Sequence, residues 1–252
     1  MTDKISVIMP ALNAGRFIAP ALRSLLREPG VDLDIIVVDD GSTDDTAAIV
    51  GQLAAAYPCI RLIAGPQRGV SSARNAGLAA VPPDSGYITF LDADDHSATN
   101  RIGRQLQVLN DNADIEFVIG LVQFFEEIDE ETSRVIEGSR TVTVAGVQLA
   151  AALFRRSVFD RLGSFDEELR QGEDTDFFMR LLETRTPYIL ETAVAVFYRR
   201  HSTNMTNDTA QKRRGFVDAL RKSLNRRRAG GGSMEIGDLF KRRGSAEEVF
   251  QS

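Results

Sequence analysis

Two groups of aspartates follow apolar runs whose length and composition are typical of buried strands. Asp92, Asp94 and Asp95 close the run YITFL, and Asp39 and Asp40 close the run LDIIVV. Carboxylates gathered in this way repel each other, and a hard divalent cation stabilises them through oxygen ligands. Because Mg²⁺ usually keeps waters and adds substrate phosphate oxygens, an Asp-x-Asp at a strand end suits a metal–diphosphate site. The alternative is a turn in which Asp94 or Asp95 caps the next helix.

The elements that position these aspartates alternate between strand-like and helix-like segments. Strands are predicted at KISVIMP, LDIIVVDD, IRLIAG and GYITFLDADD, and helices at GRFIAPALRSLLREPG, at residues 44–57 and at GVSSARNAGLAAV. Ser42 or Thr43 is expected to cap the second helix. The alternation predicts a parallel, doubly wound sheet, whose ligands bind beyond the carboxyl ends of the strands. Asp92 and Asp94, two apart in a strand, are expected to face one ligand together.

The second half has a different pattern. Long strands are predicted at ADIEFVIGLVQFFEE and RVIEGSRTVTV, joined by the turn IDEETS, and a further strand at YILETAVAVFYRR. Helices are predicted at GVQLAAALFRRSVFDRLG and EDTDFFMRLLETR. Residues 211–252 begin with a basic amphipathic segment, and a glycine linker and a mobile tail are expected after it.

The composition excludes several classes of protein. The 252 residues are 43% apolar and 26% charged, as in an ordinary globular chain, and the net charge of −6 argues against a nucleic-acid partner. No apolar run reaches the roughly 18–20 residues that cross a bilayer, and no export signal is predicted at the N-terminus. The single cysteine, Cys59, cannot form an internal disulfide, which fits a reducing cytoplasm. The oligomeric state stays open.

The common phosphate-binding motifs are missing. The chain has no G-x-x-x-x-G-K-[ST] and no G-x-G-x-x-G after its first strand, so a P-loop NTPase or a dinucleotide-binding dehydrogenase is disfavoured. A diphosphate would instead be held by a metal and by side chains. The candidate cationic residues are Arg74, Arg199, Arg200 and His201.

Six motifs then occur in an order that resembles the family 2 glycosyltransferases. They are VIMPALNAGRFI, VVDDGSTDDT, RGVSSARNAGL, FLDADD, GEDTDFFMRL and YRRHSTNMT, and they span residues 5 to 206. The resemblance implies a GT-A fold: an α/β, Rossmann-like, mainly parallel sheet flanked by helices, with a small antiparallel part in the second half. It implies inverting transfer of a sugar from a nucleotide diphosphate donor, usually a UDP-sugar, to a glycan or lipid-linked acceptor with Mn²⁺ or Mg²⁺. Residues 1–100 would form the donor half and residues 101–210 the catalytic and acceptor half.

The resemblance also implies roles for single residues. The nucleotide would be contacted by Pro10, Ala11, Asn13, Asp39, Arg74, Asp92 and Ala93. Asp94 and His201 would bind the metal, Asp174 would be the catalytic base, and Glu173 and Arg200 would support the acceptor. A base is needed because the acceptor hydroxyl must lose its proton as the new bond forms. Structural alternatives remain open: a turn or cap role for Asp39, a solvated Arg74, a structural His201, and helix-dipole stabilisation for the acids at residues 173–176.

Differences from known motifs of the family indicate which kind of member this chain would be. Processive members carry a Q-x-x-R-W motif and membrane helices, whereas this chain has no tryptophan, so transfer of a single sugar is expected. A sugar-nucleotide pyrophosphorylase is a rival, although PALNAGRF is a poor match to the glycine- and arginine-rich loop of such enzymes. A catalytically inactive nucleotide-binding relative is a second rival interpretation.

The basic segment QKRRGFVDALRKSLNRRR allows two interpretations. On a helix, Phe216, Val217, Leu220 and Leu224 share an apolar face surrounded by lysines and arginines. Such a helix can lie on an anionic membrane, which makes residues 212–228 a candidate for peripheral membrane contact. Alternatively, the helix packs on the enzyme itself and leaves a solvated basic face.

Overall fold

The computed structural model describes residues 3–125, 128–129, 134–201 and 208–230. The strands are β1 Ile5–Ala11, β2 Leu33–Asp39, β3 Ile60–Ala64, β4 Tyr87–Phe90, β5 His96–Ser97, β6 Phe117–Phe125, β7 Ile128–Asp129, β8 Arg134–Val135, β9 Thr141–Val144, β10 Ala152–Arg155 and β11 Tyr188–Arg199. The helices are α1 Ile18–Leu26, α2 Thr46–Ala56, α3 Val70–Ala79, α4 Arg101–Asp111, α5 Arg156–Leu162, α6 Glu173–Glu183 and α7 Thr209–Gly230, with a 3₁₀ helix at Leu149–Ala151. The predicted tail beyond residue 230 lies outside the described residues.

One main sheet has the strand order β3-β2-β1-β4-β10-β6-β11-β5, with β9 paired to β6. Strands β1 to β4 run parallel where they pair, and β6 runs parallel to β11. Strand β10 is antiparallel to both β4 and β6, and β5 and β9 are also antiparallel to their neighbours. The predicted mainly parallel sheet with a smaller antiparallel part is therefore confirmed.

The direction of the strand connections reverses at one point of this sheet. The chain moves outward from β1 to β2 and β3 and then returns to the other side of β1 as β4. Such a reversal opens a crevice beyond the carboxyl ends of the central strands. The loops that follow β1, β2 and β4 meet there, and they carry the Asn13, Asp39 and Asp92 motifs.

The core explains why these segments form strands. The side chains of Val7, Ile8 and Met9 in β1 and of residues 35–38 in β2 are completely buried, as expected for strands covered by helices on both faces. Helix α1 buries Ile18 and Leu22 against the sheet at helical spacing.

Four local predictions were wrong. GVQLAAALFRRSVFDRLG is not one helix, because its centre forms β10, whose four residues are all buried between β4 and β6. A short apolar run fits a buried strand or a helix equally well, and pairing with two neighbours decides for the strand. RVIEGSRTVTV forms two short strands, β8 and β9, on either side of Gly138, whose φ is 88°. The turn IDEETS lies largely outside the described residues.

The other two errors concern the functional loops. Strand β4 ends at Phe90, so Asp92 and Asp94 do not alternate on a strand; they lie in a turn closed by the Asp95 N–H on the Asp92 carbonyl at 3.1 Å. Neither Ser42 nor Thr43 caps α2, since the Asp44 carboxylate accepts the Thr46 N–H at 3.0 Å.

Helix α4 and the small strand β5 were not predicted. Among the described helices, none combines the length and the hydropathy of a membrane-spanning segment.

Helix α3, which carries Arg74, can lie close to the sheet because residue 77 is a glycine. A Cβ at Gly77 would lie 2.4 Å from Ile8 Cγ2 and 3.3 Å from Val38 Cγ2, whereas a Cβ at Gly51 in α2 would meet nothing within 4 Å. The close approach of α3 to β1 and β2 therefore requires the absence of a side chain at residue 77.

Gly77→Ala is expected to destabilise the fold by about 1–3 kcal/mol, because the added methyl overpacks a filled core. Gly51→Ala is the matched control, and it should stabilise by up to about 1 kcal/mol through helix propensity alone. Urea unfolding measures both, and equal effects of the two substitutions would contradict this packing account.

Candidate active site

The loops after β1 and β2 are tied together into one rim. The Asn13 N–H donates to Ser42 Oγ at 2.9 Å, and Asn13 Oδ1 accepts the Thr43 N–H at 2.8 Å. Asn13 has a positive φ of 50°, a conformation that asparagine tolerates well. Pro10 and Ala11 pair in register with Val38 and Asp39 of β2, which places the predicted nucleotide contacts of both loops side by side.

Both aspartates after β2 make turn contacts. Asp39 Oδ1 accepts the Ser42 N–H at 2.9 Å, so the turn role considered for Asp39 is occupied by one of its oxygens. Asp40 is buried and accepts the Gln67 and Gly69 N–H groups at 2.7 and 2.8 Å. Asp40 thereby shapes the loop that leads into α3 and sets the position of the helix bearing Arg74.

Arg74 joins the two halves of the site. Its guanidinium donates from Nη2 to Asp92 Oδ1 at 2.8 Å and from Nη1 to Glu173 Oε1 at 2.5 Å and Asp174 Oδ1 at 2.8 Å. Arg74 is only 3% exposed, so the alternative of a solvated helix arginine is wrong. The DADD turn of the first half and the first turn of α6 in the second half thus meet at one cation.

The charges in this cluster do not balance. Three carboxylates share one guanidinium, so the cluster stays net anionic when all three are ionised. Burial opposes the charge of Arg74, but Asp174, Asp92 and Glu173 outweigh it and raise the pKa of Arg74. Burial raises the pKa of Asp174 to about 7, against the attraction of Arg74 and with help from the charges of Glu173 and Asp92. Asp174 is therefore a carboxylate that changes protonation near neutral pH.

A second contact orients Asp174. Its Oδ2 accepts the backbone N–H of Leu149, at the start of the 3₁₀ helix, at 3.4 Å. That helix is held in turn by buried side chains of α4: Arg101 donates to the Ala150 carbonyl and Gln105 to the Ala151 carbonyl, each at 2.9 Å. Sequence analysis did not identify Arg101 and Gln105 because it did not predict α4. The available signal was the amphipathic pattern RIGRQLQVL, in which these two polar residues are four apart and share a face with apolar residues.

Asp94 pairs with the predicted metal ligand His201. His201 Nε2 lies 2.9 Å from Asp94 Oδ2, and the imidazole stacks on Phe17 with ring centroids 4.5 Å apart. Burial, and then the charge of Asp92, raises the pKa of Asp94, while His201 opposes the shift. The structure therefore brings together two residues that are 107 apart in the chain.

A buried layer supports this pair from behind. Asp95 is fully buried and its Oδ1 accepts the Arg199 N–H at 3.0 Å; burial raises the pKa of this carboxyl well above its usual range. Arg199 also donates to the Asp94 carbonyl at 3.2 Å and lies 2.8 Å from His96 Nε2. Burial, aided by Arg199 and Arg27, lowers the pKa of His96 to about 4, so His96 is neutral.

Two further residues lie away from the Arg74 cluster. Arg200 is exposed, with its guanidinium over the Phe124 ring at 5.9 Å. Asp176 is buried and forms ion pairs with Arg180 at 3.1 Å and with Arg226 of α7 at 2.7 Å, which makes it a packing residue.

The donor set fits a divalent cation of the Mg²⁺ or Mn²⁺ type. Among the described residues, no group of three or more His, Cys, Asp or Glu side chains could hold a metal alone. Asp94 and His201 offer one carboxylate and one imidazole beside the second carboxylate of Asp92. Mg²⁺ is commonly bound by one or two carboxylates and completed by waters and substrate phosphates, so an incomplete protein set is what such a cation uses.

This chain is similar to known proteins in sequence and in fold. The domain described as Glycosyl transferase family 2 matches residues 6–163. The uncharacterised glycosyltransferase EpsJ of Bacillus subtilis (strain 168) is 31% identical over 195 residues, covering 70% of this chain and 55% of EpsJ. The chain thus spans about half the length of this relative.

Solved structures share the fold. The fragment TarS 1–349 of S. aureus, in complex with UDP-GlcNAc, superposes with a TM-score of 0.69 at 18% identity, covering 87% of this chain and 65% of the fragment. The mannosyltransferase PcManGT from Pyrobaculum calidifontis, in complex with GDP-Man and Mn²⁺, gives 0.68 at 18% identity, covering 94% of this chain and 66% of PcManGT. Because the family match covers more than half of the 252 residues, the chain belongs to glycosyl transferase family 2 and is a glycosyltransferase with the GT-A fold.

Proposed function

We propose that the protein transfers one sugar from a nucleoside diphosphate donor, a UDP-sugar, to a hydroxyl of a glycan or lipid-linked acceptor, with inversion and with a divalent cation. This activity would serve cell-surface polysaccharide or glycolipid synthesis. The observation that carries the proposal is the Arg74 bridge between Asp92 in the donor rim and Asp174 on α6. The cytoplasmic setting stays a prediction that rests on the single cysteine, Cys59.

The rim of the first half would hold the nucleotide. The backbone of Pro10 and Ala11 borders Asp39, and Asn13 locks the two loops. Asp39 uses one oxygen for the Ser42 N–H, and its half-buried carboxylate retains acceptor capacity for a ring N–H of the base. Asp92, with Ala93 beside it, would contact the ribose, and Arg74 would act on the nucleotide through the orientation of Asp92.

Asp94 and His201 would hold the cation against the donor diphosphate. The bound metal supplies Lewis-acid stabilisation of the negative charge that develops on the leaving phosphate. The complexes of TarS with UDP-GlcNAc and of PcManGT with GDP-Man and Mn²⁺ support a donor of this class on the same fold. Stacking of Phe17 on His201 fixes the plane of the imidazole.

Asp174 would be the base. As the acceptor oxygen attacks the anomeric carbon, the bond from that carbon to the diphosphate oxygen breaks, and the acceptor proton passes to Asp174. A pKa of about 7 suits this step, because a base works best when its pKa is near the operating pH. Glu173 shares the Arg74 nitrogen with Asp174 and so would position it, and Arg200 would contact the acceptor at the exposed end of β11.

Nucleotide binding should depend on the metal through Asp94. UDP with Mn²⁺, each at about 100 times its Kd, should stabilise the folded chain by about 2.7 kcal/mol per saturating ligand and raise the Tm by several degrees. Asp94→Asn should lose the metal-dependent part of this shift, whereas Asp114→Asn, on an exposed residue outside the site, should retain it. Thermal-shift assays measure both, and a wild type without any response to nucleoside diphosphates would refute the donor site.

Asp174→Asn should slow transfer by about 10²–10⁴-fold, since the amide keeps the size of the side chain but cannot accept the proton. UDP affinity should change little, and Glu173→Gln should be milder than Asp174→Asn. Steady-state release of UDP and calorimetric titration of UDP separate the two effects. Equal losses of rate and of UDP affinity would make Asp174 a structural residue of the donor site.

The pH dependence has a defined sign. Because burial raises the pKa of Asp174 to about 7 and only the ionised form accepts a proton, kcat/KM should rise with pH through about 7. The assay would contain saturating Mg²⁺, so that binding of the metal to Asp94 would keep protonation of Asp94 from causing this rise in kcat/KM. The residual activity of Asp174→Asn should lack this rise with pH. A wild-type profile that is flat between about pH 5.5 and 8 would contradict the assignment of Asp174 as the base.

A further inference from the structure

Helix α7 is anchored to the protein by a face of small residues. Gly215, Ala219 and Ser223 are buried, and a Cβ at Gly215 would lie 2.3 Å from the Gln171 carbonyl oxygen. The helix backbone therefore packs directly on the chain just before α6.

Ion pairs hold α7 in this position. Lys222 contacts Asp166 and Glu168 at 2.5 and 2.7 Å, and Arg226 contacts Asp176 and Glu183 at 2.7 and 2.8 Å. Packing of α7 on the enzyme, one of the two interpretations of the basic segment, is thus present. The opposite side of the helix faces outward.

The outward side carries a stripe of alternating arginines and aliphatic residues, the outer stripe. Its members are Arg213, Val217, Arg221, Leu224 and Arg228, and all five are exposed. Their spacing of four, four, three and four residues places them in one line along a helix. Val217 is 59% and Leu224 44% exposed, and neighbouring Phe216 is 47% exposed. These are three of the six large apolar side chains that the described residues leave exposed.

The charge of α7 is opposite to that of the whole chain. The helix contains eight of the 30 lysines and arginines and a single acidic residue, Asp218, while the chain has a net charge of −6. Asp218 pairs with Arg221 at 3.0 Å, and the two side chains remain 43% and 69% exposed. A basic surface of this kind on an acidic protein is matched to an anionic partner.

We propose that the outer stripe docks on an anionic lipid surface. Arginine heads can bind lipid phosphates while Val217, Leu224 and Phe216 enter the boundary between headgroups and acyl chains. An exposed helix that only needed solvation would gain nothing from two large apolar side chains in this stripe and a third, Phe216, beside it. The inner face already anchors the helix, so docking would hold the whole enzyme in one orientation.

Docking would also place the catalytic helix near the lipid. Helix α7 rests against α6 through the Arg226–Asp176 pair, and α6 begins with Glu173 and Asp174. Packed helices are about 8–10 Å apart, so the base would lie close above the membrane. This geometry suits an acceptor carried on a lipid, and that consequence rests on the proposed function, whereas the docking itself does not.

Sedimentation with vesicles tests the proposal on the full chain. The protein should pellet with phosphatidylcholine vesicles containing about a third phosphatidylserine, and remain in the supernatant with phosphatidylcholine alone. The variant Arg213→Gln/Arg221→Gln/Arg228→Gln should lower the partition coefficient on the order of 100-fold, about fivefold per charge removed. Phe216→Ser/Leu224→Ser should also lower it, with little change in Tm because both residues are exposed.

The matched control is Arg23→Gln/Arg68→Gln/Arg140→Gln, which removes the same charge from exposed sites outside α7. It should bind like the wild type. Recovery of the wild type in the supernatant with anionic vesicles, or an equal loss in the control variant, would overturn the proposal and favour a protein partner or a purely solvated face. No donor or acceptor is present in this assay, so failure of the proposed transferase activity leaves its result unaffected, and the reverse also holds.

Discussion

The buried guanidinium of Arg74 is the contact on which the active site depends. It contacts Asp92 from the turn after β4 and Glu173 and Asp174 from the first turn of α6, two segments that are about 80 residues apart. Without a cation there, three carboxylates would be left in a poorly solvated crevice, which costs several kcal/mol for each unpaired charge. The ion pairs therefore stabilise the contact between the two halves and hold down the pKa of Asp174, the candidate base, against the effect of burial.

Several buried contacts elsewhere in the fold position Arg74 and its partners. Gly77 lets α3 approach β1 and β2, and the Asp40 carboxylate shapes the loop from which α3 starts. On the other side, Arg101 and Gln105 of α4 hold the 3₁₀ helix whose Leu149 N–H contacts Asp174. These supports are buried hydrogen bonds of the kind that lock a side chain into one orientation, which is what pre-organised sites require.

The donor half could be predicted from the sequence because its signals are local. Predominantly apolar runs such as those of β1 and β2 identify buried parallel strands, and their ends place the acids at one rim. The second half could not be predicted to the same degree. Strand β10 depends on pairing with β4 and β6, partners distant in the chain, and its ALFR pattern alone fits a helix. Arg74 binds Glu173, Asp174 and Asp92 through tertiary contacts, and the spacing of residues in the sequence does not predict such contacts.

The attraction of Arg74 holds the pKa of Asp174 below the value that burial alone would give. The most direct measurement is the pH dependence of kcat/KM for Arg74→Lys beside the wild type, with Tm measured for both. A lysine keeps one charge but lacks the planar fork that contacts three carboxylates, so less attraction reaches Asp174. Because that attraction holds the pKa of Asp174 down against burial, the acid limb should move above its wild-type position near pH 7. An unchanged limb in a folded Arg74→Lys enzyme would contradict the account.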